Sequence, residues 1–92
     1  MAIIQISYDL NQPGREYGPL IARIKELGTQ GWCKPLESVW IIKADLGVTL
    51  VRDDLMNYID QSSRVLVLDV TADPAAWYGL PKDVSDWLLA NL

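Results

Sequence analysis

The chain contains no histidine and no phenylalanine, and only one cysteine. Without histidine it lacks the commonest general base and the commonest transition-metal ligand. Serine and cysteine triads in their usual histidine-dependent form are therefore excluded. A lone Cys33 rules out an internal disulfide framework and fits a reducing, cytoplasmic setting. No run of about 18 apolar residues occurs, so no membrane span is expected. A signal peptide is not expected either, because the N-terminus lacks a basic start and Gln5 and Ser7 interrupt its apolar stretch. Positive charge is scarce as well: eight basic against twelve acidic residues leave a net charge of −4. The basic side chains stand singly rather than in a patch, which disfavours binding to nucleic-acid phosphates.

What is present is a chain of 92 residues, half of them hydrophobic. That is one domain, able to bury roughly 60–65% of its unfolded surface and helped by a partner subunit. Residues 2–9 alternate as a strand. Ile4, Ile6 and Tyr8 point to one side, while Ile3, Gln5, Ser7 and Asp9 point to the other. After Pro13-Gly14, Tyr17, Leu20, Ile21, Ile24 and Leu27 fall at helical spacing, with Pro19 in the first turn and Gly28 as a left-handed stop. Residues 31–44 predict a hairpin: a short arm at Gly31–Cys33, a connection at Lys34–Glu37 and a longer strand at Ser38–Ala44. Pro35 places the first arm at a sheet edge. A second helix is predicted over Thr49–Tyr58 and a last strand over Arg64–Thr71.

The order strand, helix, strand, strand, helix, strand predicts an α+β, ferredoxin-like βαββαβ sheet with both helices on one face. That domain occupies residues 1–74. Residues 75–92 form a C-terminal loop and helix (Lys82–Asn91) that packs on the domain or on a partner subunit. The open face carries Ile3, Gln5, Ser7 and Asp9 from the first strand. From the others it takes Val39/Ile41/Lys43 or Trp40/Ile42, and Val65/Val67/Asp69 or Leu66/Leu68/Val70. Each choice is partly apolar, so a cover is needed, and a second copy in a two-fold homodimer is the simplest. Ile3, Gln5, Trp40, Trp77 and Tyr78 are the interface candidates.

Asp9 is the candidate site residue: a carboxylate at the carboxyl end of a strand, read either as a turn former or as a ligand. Ser7 and Asn11 are candidates to donate hydrogen bonds to it, and Asp69 and Asp73 are the only further carboxylates considered for its neighbourhood. Cys33 reads as an inert side chain. Asp53-Asp54 reads as a solvated helix face.

Several short motifs together resemble the small CRISPR-associated protein of spacer acquisition, the second of the Cas series, and most closely its stand-alone SinR-like relatives. They are Tyr8-Asp9-Leu10-Asn11, Pro13-Gly14, Tyr17 with Leu20-Ile21, Leu36-Glu37-Ser38-Val39-Trp40-Ile41, and Leu80-Pro81-Lys82-Asp83. The resemblance implies a ferredoxin-like homodimer. It also implies, for some members, a nuclease in which the strand-end aspartate of each subunit holds Mg2+ or Mn2+ between them; carried over, that residue is Asp9. Two functions are expected: a non-catalytic dimeric scaffold or interaction module with a protein partner, or a metal-dependent endonuclease acting on RNA or DNA.

Overall fold

The computed structural model describes residues 1–10 and 17–92. The elements are β1 (Ala2–Asp9), α1 (Gly18–Leu27), β2 (Trp32–Leu36), β3 (Val39–Ala44), α2 (Val48–Leu55), β4 (Arg64–Asp69) and α3 (Lys82–Asn91). The four strands form one antiparallel sheet in the order β2-β3-β1-β4. This α+β arrangement is compatible with a ferredoxin-like fold. The expected Pro13-Gly14 turn lies outside the described residues.

Pairing settles the faces that the apolar runs left open. Ile4 lies opposite Ile42 and Ile6 opposite Trp40, so β3 sends Trp40, Ile42 and Ala44 to the same side as the β1 isoleucines. There they meet Leu20, Ile24 and Leu27 of α1 and Val51 and Leu55 of α2 in the main core. Fully burying each of these aliphatic side chains stabilises the fold by about 1.5–3 kcal/mol before chain entropy is counted. On β4, Val65 and Val67 join this side, whereas Leu66 and Leu68 stand opposite Ser7 and Gln5 on the other.

Four local expectations need correction. Gly28 is not a left-handed cap, since its φ is −78°. Glycine is needed there for space: a Cβ would stand 2.9 Å from the Gly31 carbonyl oxygen and 3.2 Å from Ile42. β2 does not end at Cys33 but runs through Pro35 to Leu36, with a tight turn at Glu37-Ser38. Pro35 is tolerated because β2 is an edge strand and its ladder to β3 is irregular between Cys33 and Leu36. α2 stops at Leu55, short of the expected Tyr58, and tightens into a 3-10 turn at Met56–Tyr58, which leaves Tyr58 exposed. β4 ends at Asp69, two residues early, because Asp69 Oδ1 accepts hydrogen bonds from the Thr71 N–H and hydroxyl at 3.0 and 2.6 Å and turns the chain.

That turn sends the tail back over the open face of its own sheet. The Ile3 N–H donates to Thr71 Oγ1 at 2.9 Å, and Ala72 adopts a positive φ of 60°. Leu88 of α3 then packs on Ile3, Cys33 and Ile41, flanked by Trp77, Leu80, Val84 and Trp87. Trp77 Nε1–H donates to Ser85 Oγ at 3.0 Å, and Lys43 Nζ donates to Asn91 Oδ1 at 3.2 Å, pinning both ends of the tail helix.

Candidate functional site

Asp9 ends β1 on the face away from α1 and α2, exposed and directly opposite Arg64 of β4. It shares a shallow depression with Ser7, Tyr8, Arg64, Val65 and Leu66. Ser7 Oγ accepts a hydrogen bond from Gln5 Nε2 at 3.1 Å, so its neighbour is Gln5. Asn11 lies outside the described residues. Asp69 does not approach Asp9: it lies opposite Ile4, five residues back along β1 or about 17 Å away, and it belongs to the helix side. Asp73 lies farther along the chain, in the turn that follows β4, where its N–H donates to Val70 O. Among the described residues no three histidine, cysteine or acidic side chains come together as a metal site. Among the described residues this depression holds one carboxylate, Asp9, and one basic residue, Arg64, too thin a ligand set for a resident divalent cation.

Of the five interface candidates, three are taken up by the protomer itself. Ile3 is buried beneath α3. Trp40 is buried on the opposite side, in the main core, where its Nε1–H donates to Tyr8 Oη at 3.0 Å. Trp77, within the tail, is partly buried against the cluster that α3 makes with the sheet. Gln5 and Tyr78 remain accessible, Tyr78 almost completely.

The tryptophans build structure. The Trp32 ring lies 5.4 Å from that of Trp40, and Lys25 Nζ sits 4.8 Å from the Trp32 centroid, clamping α1 to the β2 edge. Lys34 Nζ approaches Trp40 at 5.5 Å. Burial pushes the Cys33 thiol up to about 11, with Asp83 adding to the shift, so it stays protonated and unreactive at neutral pH.

What the tail leaves uncovered is the other half of the open face. It carries Leu66, Ser7, Val39 and Leu36 in one cross-strand row and the Leu68–Gln5 end of the next, whose other members, Ile41 and Cys33, lie beneath α3. Leu36, Leu66 and Leu68 are 59%, 56% and 42% exposed. A groove of about 320 Å³ between Leu36, Ile41, Trp77, Leu88 and Leu92 borders it on the tail side. The leucines of β4 were missed as site residues because their phase relative to β1 comes only from pairing; their spacing of two residues was the available signal. No helix among the described residues is long and apolar enough to cross a membrane. No family model, curated protein or solved structure matches the chain.

Proposed function

We propose that this chain is a non-catalytic, dimeric interaction module of the type expected from its resemblance to the stand-alone CRISPR-associated relatives. The observation that carries this reading is the uncovered half-sheet, where Leu36, Leu66 and Leu68 stand in solvent beside Gln5 and Ser7. A patch of this kind on a small acidic domain is a surface for protein rather than for nucleic acid. Among the described residues Asp9 belongs to no cluster of metal-ligating side chains, which supports the same reading, because general acid–base or metal chemistry needs more than one placed group.

Asp9 is nevertheless exposed at a strand end, and that supports a second reading: a metal-dependent endonuclease assembled from Asp9 of two subunits. Light scattering of the purified protein is expected to give the mass of a dimer. Incubation with single-stranded and duplex RNA and DNA, with and without manganese, is expected to give the same background for the native protein and Asp9→Asn. Manganese-dependent cleavage that vanishes in Asp9→Asn would replace the first reading by the second.

A further inference from the structure

The sheet has two edges, and they are treated differently. β2 carries Lys34, Pro35 and an irregular ladder, three of the devices by which proteins prevent an edge from pairing. β4, at the other edge, reads Arg64-Val65-Leu66-Val67-Leu68-Asp69, with no proline or lysine. Its pairing with β1 shows which backbone groups remain. The Val70 N–H donates to Ile3 O at 2.8 Å, so Ile3 and Val70 are a hydrogen-bonded pair. Alternation along the antiparallel ladder makes Gln5–Leu68 and Ser7–Leu66 bonded pairs too. Val65, Val67 and Asp69 therefore turn their N–H and C=O groups outward, to the free edge.

We propose that β4 pairs antiparallel with β4 of a second copy, about a two-fold axis at Val67, joining the two sheets into one. This rests on the dimeric reading above and names the surface that makes the dimer. Three features select a copy of the same chain and this register. In a continuous sheet, residues that meet across the axis share a face, so a residue of β4 sits on the axis, and Val67 and Leu66 are the two nearest the middle of the strand. With Val67 on the axis, Val67 bonds to its counterpart and each Val65 bonds to the partner's Asp69, so all three outward-turned residues are satisfied. With Leu66 on the axis, Asp69 falls beyond the end of the other strand. The Val67 register also sets Leu66 against the partner's Leu68 as a close non-bonded pair, which covers part of both exposed leucines.

Charge is compatible with this register. Arg52 of α2 lines the shallow depressions beside Val65; its side chain is half exposed and donates to Asp53 Oδ1 at 2.9 and 2.8 Å. The Val67 register carries the partner's Asp69 opposite Val65 on that same side of the sheet, and does so twice by symmetry, so Arg52 would exchange or share its Asp53 contact with that carboxylate. The arrangement has a consequence for Asp9. Three strand spacings across the sheet and six residue rises along it separate the two Asp9 positions by about 25 Å, too far to share one ion.

Disulfide trapping tests the register. In Val67→Cys the two introduced thiols lie about 5.5 Å apart at Cα, within disulfide range. Mild oxidation is expected to convert that variant to a covalent dimer, with the bond mapped to position 67 by peptide mass. Leu66→Cys alone is expected to stay uncrosslinked, and a mixture of Leu66→Cys with Leu68→Cys to crosslink. Arg52→Glu is expected to weaken dimerisation on the order of tenfold, as an interfacial charge pair would. A native protein that is dimeric while Val67→Cys remains uncrosslinked overturns the β4 edge and leaves the dimeric reading standing. Crosslinking of Leu66→Cys alone overturns the register. A native protein that is monomeric at millimolar concentration overturns both.

Discussion

At Gly28 the chain leaving α1 passes so close to Gly31 and Ile42 that a side chain has nowhere to go. Its dihedrals are accessible to any residue, so the constraint is one of volume. Gly28→Ala is expected to destabilise the protein by about 1–3 kcal/mol, the usual range for overpacking, without changing the helix content. A urea midpoint unchanged from the native value would show that the backbone yields there. Arg23 and Asp54 make the second residue-scale case. Arg23 Nε and Nη2 donate to the two carboxylate oxygens at 2.8 and 2.7 Å, a fork that ties α1 to α2. That guanidinium holds the Asp54 carboxyl below its ordinary value of 3.8. A depressed carboxyl contributes stability above its ordinary value, and the contribution is lost as pH falls through the folded value. Thermal melting is therefore expected to drop as pH is lowered below 3.8, and Asp54→Asn to reduce that slope. Part of it remains in the variant, because Asp69 is held down by its Thr71 hydrogen bonds in the same sense. Parallel melting profiles for native and variant would remove Asp54 as a cause. By its spacing Asp54 belongs to a solvated helix face; its partner, 31 residues earlier on another helix, has no local signature.

α3 is the element whose role depends most on packing. Its apolar stripe and its span at Lys82–Asn91 could be read from residue spacing, but whether it would lie on its own sheet or on another was not written in the stripe. The deciding feature is the Asp69–Thr71 turn, which redirects the chain onto Ile3 and Ile41. Leu88→Ala is expected to cost about 2–5 kcal/mol and to open Cys33, which lies in the same cluster. Labelling of Cys33 by a thiol reagent in native buffer should be faster in the variant; equal rates would mean that α3 does not shield it. The strands show a similar division. In β1, alternate polar residues mark one face, so its orientation was legible. β3 and β4 are apolar on both sides, and a one-residue slip exchanges their faces. Only pairing to β1 chose between them.

For the molecule as a whole, the order of elements and the two-sided sheet were legible because the periodicities of two and of three to four residues are local. The surface that matters most was not, since it is defined by what the tail fails to reach. If two copies join through the β4 edge that borders it, folding and association are linked. The melting temperature is then expected to rise with protein concentration, by the mass-action relation for a species that binds only the folded state. A melting temperature independent of concentration over two orders of magnitude would indicate that the fold needs no second chain.

Pro35 and the broken ladder of β2 set a limit on growth. Adding strand to strand without end requires each unit to offer two receptive margins, one for the neighbour before and one for the neighbour after. Here one margin, β2, is made unreceptive by Lys34, Pro35 and its irregular ladder. Any pairing through β4 therefore consumes the single receptive margin on both units at once and terminates. The same proline that shortens the ladder within the sheet thus guards a protein with an open margin against filament formation.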